Sequence, residues 1–376
     1  MTARRLTGTF WPTRREQLLL TTALAEPDRA VAAWRELRPE LDLQTAEDSI
    51  FAALPLVYRR LDEAGLDDPD LSRLKGIYRN TWTLNTLLVD RVQATADAFR
   101  SAEVPMLLVG TLGAALRYYD SLGLRPTGYI ELLVAENDVI PAVRAAGSAG
   151  WSARGASRGP TGEVPLVDEK GRLCMLRSGL APDFVTRAGE PAVMPFWDAA
   201  VDIDVNGGRV RALSPDDDLL AAIVTRARAS PFRSLQWIVD AAMILRKPEQ
   251  IDWERVCRLG IERGQGLRLR DAFEYLWRLL DSAPPPAVQE LLQRRRAPAR
   301  ERLTYACTTR AFPGFAPLGE HLGATSGRSS WATVSALPVF LKKRWGVDHA
   351  WQLPVAGTQR ALRTRGRQQA GPAEHH

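Results

Sequence analysis

The chain has 376 residues, of which 45% are hydrophobic and 25% are charged, and its formal net charge is +6. This length allows two or three domains with a sizeable buried core. Cys174, Cys257 and Cys307 stand far apart, so the sequence indicates neither a zinc site nor a disulfide framework. It contains no apolar run of about 18 residues and no apolar segment typical of a signal peptide. We therefore expect a cytoplasmic protein without a transmembrane segment.

Residues 1–103 predict a helical N-terminal lobe. Apolar residues recur every three or four positions in "DRAVAAWREL", "EDSIFAALPLVYRRLDEAG" and "LNTLLVDRVQATADAFRSA". The breaks that precede and separate these stretches contain turn-forming residues, as in "AEPD", "RPELD" and "GLDDPD". The pattern is typical of amphipathic helices joined by short turns.

Residues 104–213 predict a small α/β domain with a mixed sheet. The run "VPMLLVG" indicates a buried strand that ends at Gly110, "TLGAALRYY" a helix, and "YIELLV" a second strand. Further along, "AAVDIDVNGGRVRALS" predicts a β-hairpin, because its Asn-Gly-Gly sequence favours a tight turn.

Residues 214–300 predict a helical C-terminal lobe. It begins with Ser214 as N-cap and Pro215 in the first turn, followed by the acids Asp216–Asp218, which favour the positive end of a helix. Residues 301–376 predict a loop-rich tail with one amphipathic helix and a disordered end. We expect that helix, "VSALPVFLKKRWGV", to pack on the body; contact with RNA or a membrane surface is the alternative.

A family resemblance rests on the segment "MLLVGTLGAALRYYDSLGLRPTGYIELLV". It resembles the uncharacterised bacterial nucleotidyltransferase family, whose signature reads roughly L-L-K-G…R-Y-Y…G-L-R-P-M-G-D-I-D-L-L-V. The resemblance continues in "FAALPLVYRRL" and "VRALSPDDDLL" and covers about residues 15–290. It implies an α+β fold in which a nucleotidyltransferase-like mixed-sheet core is flanked by N- and C-terminal helical lobes.

The resemblance also implies a site for Mg²⁺ and a nucleoside triphosphate. Carboxylates at alternate positions of one strand, with a third from a neighbouring strand, hold the Mg²⁺ that neutralises the triphosphate. By this resemblance Glu131 is the catalytic and metal-binding acid. Gly110, Thr111, Arg125 and Tyr129 would then contact the nucleotide, with the glycine letting the phosphates approach a helix N-terminus.

Each nucleotide contact has a structural alternative. Gly110 and Thr111 would equally suit a tight turn between a strand and a helix. Arg125 would either contact an anion or anchor its own loop. Arg117 and Tyr118 favour a structural role, because their helix must pack one face on the sheet.

The chain departs from the family signature at the metal site. Tyr129 stands where the family has its first aspartate, Glu131 replaces the second, and Val109 stands where lysine is usual. The third carboxylate is expected in residues 172–180, which contain no acid, and "AAIVTRARA" lacks the histidines expected after "DDDLL". Because a phenol is neutral at pH 7, Glu131 alone would be a weak magnesium site.

Two other groups of acids are candidates to replace the missing carboxylates. Asp202 and Asp204 form a D-x-D pair in "VDIDV", and we favour their interpretation as the exposed edge of a hairpin. Asp216–Asp218 are better explained by the start of a helix.

Three functions stay open. The missing acids favour a catalytically degenerate protein that binds a nucleotide, protein or peptide as an accessory factor in a modification or biosynthetic pathway. The first alternative is an active Mg²⁺-dependent nucleotidyltransferase that uses Glu131, with Asp202 or Asp204, to modify a hydroxyl of a small molecule or peptide. The second is a basic module that binds nucleic acid through arginine-rich faces.

Overall fold

A computed structural model gives the fold. It describes residues 11–43, 48–154, 163–179, 194–226, 235–247, 251–282, 285, 288–289, 296–309, 318–319, 321–322, 325, 330–345, 347 and 349–354. The α-helices are α1 (Arg14–Leu24), α2 (Pro27–Leu37), α3 (Asp48–Phe51), α4 (Leu54–Glu63), α5 (Leu71–Ser101), α6 (Gly110–Tyr118), α7 (Val139–Ser148), α8 (Met194–Asp198), α9 (Pro215–Ala221), α10 (Gln236–Arg246), α11 (Trp253–Glu262), α12 (Gly266–Leu279), α13 (Ala299–Thr309) and α14 (Ser330–Trp345). The strands are β1 (Leu107–Val109), β2 (Tyr129–Leu133), β3 (Trp151–Ala153), β4 (Val164–Asp168), β5 (Leu173–Arg177), β6 (Val201–Val205) and β7 (Gly208–Ala212).

The N-terminal helices begin where local chemistry favours a helix start. Thr13 caps α1: its hydroxyl accepts from the Glu16 backbone N–H, and the Glu16 carboxylate accepts from the Thr13 backbone N–H at 2.7 Å. This reciprocal pair satisfies two N–H groups that a helix start leaves open. The helices α1 to α5 lie between Arg14 and Ser101, in the part of the chain for which the sequence predicts helices.

The seven strands form one mixed sheet in the order β3-β4-β5-β2-β1-β7-β6. β2 lies at its centre, antiparallel to β1 and parallel to β5. β6 and β7 form the predicted hairpin, in which Asn206 and Gly207 adopt positive φ angles of 52° and 80°. This left-handed geometry matches the twist of a two-residue hairpin. The prediction of a mixed sheet is confirmed.

The two faces of the sheet bury different helices. Leu108, Ile130 and Leu132 pack against α5 and α7. Leu107 and Leu133, on the opposite face, belong to a core that contains helices from both ends of the chain. The C-terminal half of α5 therefore covers the sheet, although α5 lies in the range predicted for the N-terminal lobe. The remaining N-terminal helices share one core with the C-terminal helices.

The predicted tail helix corresponds to α14. It contacts His321, whose Nε2 lies 2.7 Å from the Thr333 carbonyl oxygen and whose ring lies 5.0 Å from that of Phe340. Val334 and Val339 are exposed on the same helix. The predicted disordered end of the tail, residues 355–376, lies outside the described residues. Among the helices described here, none combines the length and the hydropathy needed to cross a bilayer.

Candidate functional site

The site begins at a turn that favours glycine. β1 ends at Val109 and α6 starts immediately at Gly110, whose φ is +79°. L side chains rarely adopt this angle. A Cβ placed on Gly110 would also lie 2.1 Å from Oε1 of Glu131. The backbone angle favours glycine, and the Glu131 carboxylate fills the space that a side chain would occupy, so it lies directly beside the turn.

The first turn of α6 offers hydrogen-bond donors. Val109 is the N-cap and provides no side-chain hydrogen bond. Thr111 is buried, and its Oγ1 has no hydrogen-bond partner among the described residues. A buried polar group without a partner costs about 1–3 kcal/mol. Because a helix N-terminus carries partial positive charge, an oxygen anion would satisfy this group of donors.

Glu131 forms an ion pair across the sheet. In β2 the alternating positions Tyr129, Glu131 and Leu133 share one face, and in β5 the Arg177 Cα is the register partner of Leu133. Nη2 of Arg177 lies 3.1 Å from Oε2 of Glu131, and Nη1 lies 3.3 Å from Oε1 of Glu163. Nε of Arg177 is buried without a hydrogen-bond partner among the described residues. One guanidinium therefore faces two carboxylates.

The basic side chain beside Glu131 belongs to β5 and not to β1. Val109, where the sequence resemblance leads one to expect lysine, is buried and is the register partner of Glu131 on β1. Arg177 reaches Glu131 from the other neighbouring strand, β5. The segment expected to carry a third carboxylate therefore places a basic side chain next to the remaining acid.

These residues do not fit a magnesium site. Mg²⁺ requires several oxygen ligands in close octahedral geometry. Tyr129 stands where the sequence resemblance leads one to expect an acid, and Glu131 is paired with Arg177. The described residues contain no cluster of three His, Cys, Asp or Glu side chains with metal-binding geometry. Two unit charges about 4 Å apart near a protein surface interact by about 4 kcal/mol. The Arg177 guanidinium would thus repel a divalent cation from Glu131.

The D-x-D pair lies far from this turn. Asp202 and Asp204 are exposed on β6, the edge strand, and their register partners are Arg211 and Arg209. β6 stands three strand positions from β2, a separation of roughly 14 Å. The two aspartates therefore cannot share a metal ion with Glu131, and their interpretation as an exposed hairpin edge agrees with the structure.

The acids at the start of α9 are tied to neighbouring helices. Asp217 accepts hydrogen bonds from Nη2 of Arg255 at 2.8 and 3.1 Å. Asp218 accepts from Arg117 at 2.7 Å and from the Tyr118 hydroxyl at 2.8 Å. Helix-start charges were the correct interpretation, but these two aspartates are also buried links to α6 and α11. The contacts give Arg117 and Tyr118 the structural role that the sequence favours.

Arg125 holds its loop in place. Its Nε and Nη2 donate to the two carboxylate oxygens of Asp240 at 2.7 and 2.9 Å, and its Nη1 donates to the Pro126 carbonyl at 2.7 Å. Burial lowers the pKa of Arg125, but Asp240 outweighs this effect and raises the pKa above the ordinary value. This geometry favours the anchoring alternative, since an anion would have to displace Asp240.

Residues 52–283, more than half of the chain, match the model of a family described as an uncharacterised nucleotidyltransferase. The chain belongs to this nucleotidyltransferase family. No curated protein matches this family member significantly.

Two solved structures are similar to this nucleotidyltransferase-family protein. One is the solution structure of the antibiotic-resistance factor ANT(2'')-Ia, with 15% identity, 51% of this chain and 94% of that chain covered, and a TM-score of 0.33. The other is an antigenic nucleotidyltransferase-like protein from Paracoccidioides brasiliensis, with 16% identity, 57% and 94% coverage, and a TM-score of 0.32. Because both TM-scores are low, the assignment rests on the family match.

Sequence reasoning missed Arg177 and Glu163. The resemblance leads one to expect an acid within residues 172–180, whereas the residue there that contacts Glu131 is the base Arg177. Alternation in "LCMLR" does place Arg177 on one face with Leu173 and Met175. That pattern would have identified Arg177 only if the register between β2 and β5 had been known.

Proposed function

We propose that this nucleotidyltransferase-family protein is catalytically degenerate and serves as a binding or accessory protein in a modification or biosynthetic pathway. The proposal depends on one observation: Arg177 forms a 3.1 Å ion pair with Glu131, the acid that the sequence resemblance assigns to metal binding. The partner class we propose is a nucleotide, or a protein or peptide that carries a phosphate.

The chemistry of nucleotidyl transfer supports the loss of activity. Negative charge develops on the triphosphate and on the leaving pyrophosphate, and metal ions neutralise it. A single guanidinium supplies one positive charge, and here it already faces the carboxylates of Glu131 and Glu163. We infer that this arrangement does not supply the charge stabilisation that two metal ions would provide.

Retained binding is supported by the turn and by the sheet beside it. Gly110 forms a tight turn at the start of α6, and the buried hydroxyl of Thr111 has no partner among the described residues. Next to Arg177, on the same face of the sheet, half-buried apolar side chains continue across β5 and β4. They are Leu173, Met175, Pro165 and Val167. A few polar groups beside an apolar surface match the composition of ligand-binding sites.

Pyrophosphate release tests the proposal. Wild-type protein and Glu131→Gln are incubated with Mg²⁺ and each of the four nucleoside triphosphates, with mass spectrometry to detect self-modification. We expect both proteins to release pyrophosphate at the same background rate. Release by the wild type that Glu131→Gln abolishes, with both proteins folded by circular dichroism, would overturn the proposal in favour of an active transferase.

A further inference from the structure

We infer that Glu131 is a resident anion of the candidate site. In this view its carboxylate occupies the position of a ligand phosphate, and Arg177 holds it there. A phosphate-bearing ligand then binds without a divalent cation, by displacing Glu131 and taking over Arg177. The inference rests on the proposed function for the location of the site, but a binding measurement tests it and turnover does not.

The position of the Glu131 carboxylate is the first support. Its Oε1 fills the space that a side chain on Gly110 would occupy, so it contacts the first residue of α6. A helix N-terminus stabilises carboxylates and phosphates by the same interaction, through its N–H groups and its dipole. Glu131 therefore lies beside the helix start at which an external oxygen anion would bind.

Arg177 has donors left for such a ligand. A guanidinium carries five N–H donors. The two carboxylates each meet one terminal nitrogen, Glu131 at 3.1 Å and Glu163 at 3.3 Å, while Nε is buried without a partner among the described residues. Arginine binds phosphate through two parallel hydrogen bonds, a geometry that lysine cannot reproduce.

Thr111 and Glu163 complete the arrangement. The buried hydroxyl of Thr111 lies in the first turn of α6 and has no partner within the described part of the chain. A ligand oxygen at that turn would satisfy it. Glu163 would act as a positioning residue, because its contact keeps Arg177 near the turn when Glu131 moves away.

The direction in which Glu131→Gln changes the affinity for a triphosphate distinguishes this inference from a metal site. If Glu131 were a metal ligand, Glu131→Gln would weaken binding of a triphosphate. If Glu131 competes with the phosphate, Glu131→Gln removes a repelling charge and frees Arg177. The affinity measured without metal should then rise by about tenfold, as for the loss of one close charge interaction.

Isothermal titration with inorganic tripolyphosphate and with ATP, both in EDTA, is the experiment. We expect tighter binding for Glu131→Gln and at least about tenfold weaker binding for Arg177→Gln. A smaller loss is expected for Thr111→Val. Tighter binding of ATP than of tripolyphosphate would identify a nucleotide as the ligand, and equal binding a free polyphosphate. Thermal melts confirm that each variant is folded, and Arg177→Lys, which keeps the charge, replaces Arg177→Gln if that variant does not fold.

Two results would overturn the inference. One is weaker binding by Glu131→Gln than by the wild type. The other is the absence of binding to all folded proteins at millimolar ligand. Neither result depends on pyrophosphate release, so the inference can fail while catalytic degeneracy stands. Conversely, turnover by the wild type would refute the proposed function whatever the metal-free affinities are.

Discussion

Two arginine–carboxylate pairs in this molecule differ in how completely their charges are satisfied. Arg125 and Asp240 are almost fully buried, with side-chain exposures of 1% and 0%, and two parallel hydrogen bonds join them. Arg177 and Glu131 retain exposures of 19% and 10% and meet through one contact at 3.1 Å. The Tyr119 hydroxyl also donates to Asp240, at 2.7 Å.

The difference shows which pair belongs to the structural framework and in which pair a ligand can displace the carboxylate. A buried pair is stable only while both charges and their hydrogen bonds are present. In a partly exposed pair, a ligand anion can take the place of the carboxylate and compensate the charge of the arginine. Arg125 therefore fixes its loop to α10, whereas Arg177 holds a carboxylate that a ligand can displace.

The largest effect is expected at the buried pair. Asp240→Asn leaves the Arg125 guanidinium uncompensated in the core, which costs about 3–5 kcal/mol. The free energy of unfolding, measured in urea at pH 7, should fall by this amount. Asp97→Asn is the control, because Asp97 pairs with Arg100 on the exposed surface and should change stability by less than about 1 kcal/mol. A comparable loss in both variants would show that the buried pair has no special role.

The second effect concerns the space beside Gly110. Gly110→Ala and Gly207→Ala both place a side chain at a φ near +80°, which costs about 1–2 kcal/mol. A Cβ on Gly207 meets nothing within 4 Å, whereas a Cβ on Gly110 meets the Glu131 carboxylate at 2.1 Å. The Glu131 carboxylate can turn aside, but the Glu131 Cβ, 3.0 Å from the new Cβ, cannot. We therefore expect Gly110→Ala to lose about 1 kcal/mol more in urea unfolding. Equal losses would mean that Glu131 does not lie against the turn.

The third effect depends on pH and involves the turn between β4 and β5. Burial raises the pKa of Asp168, but hydrogen bonds from Arg172 and from the Lys170 N–H outweigh it and hold the pKa below its ordinary value. The stability from these bonds is present above the unfolded pKa of about 3.9 and is lost as pH falls through the lower folded pKa.

Asp168→Asn should therefore lower the free energy of unfolding by about 1–3 kcal/mol at pH 7. The gap between wild type and variant should narrow below about pH 4, since the wild type loses the same contribution there. Urea unfolding at pH 7 and at pH 3 measures both gaps. A gap that stays constant between the two pH values would contradict a lowered pKa for Asp168.

The smallest effect on stability is expected at Arg177. Arg177→Gln leaves the largely buried Glu131 carboxylate without its ion-pair partner and should lower the free energy of unfolding by about 1–2 kcal/mol. Arg125→Gln, which leaves Asp240 buried without its partner, should cost more. Similar losses in urea for the two variants would remove the distinction between a framework pair and a replaceable pair.

Local patterns were enough to predict most of the fold. The hairpin of β6 and β7 follows from an Asn-Gly-Gly turn, and the start of α9 follows from Ser214 and the acids after it. Both features depend on residues within a few positions of each other. The packing of α5 on the sheet was not predicted, because helical periodicity shows that a face is buried but not which element buries it.

The site was predicted only in part for the same reason. The sequence located Gly110 and Glu131 and the shortage of acids around them. Arg177 lies far along the chain from Glu131, and their contact depends on the register of β5 against β2. Strand register is set by long-range packing, which alternation within one strand does not reveal.

Binding of Mn²⁺, followed by electron paramagnetic resonance on wild type and Glu131→Gln, tests the central claim most directly. Mn²⁺ prefers the same oxygen ligands as Mg²⁺. Because Arg177 neutralises Glu131, we predict equally weak, millimolar binding to both proteins. Micromolar binding of Mn²⁺ to the wild type that disappears in Glu131→Gln would show a working metal centre and contradict the account.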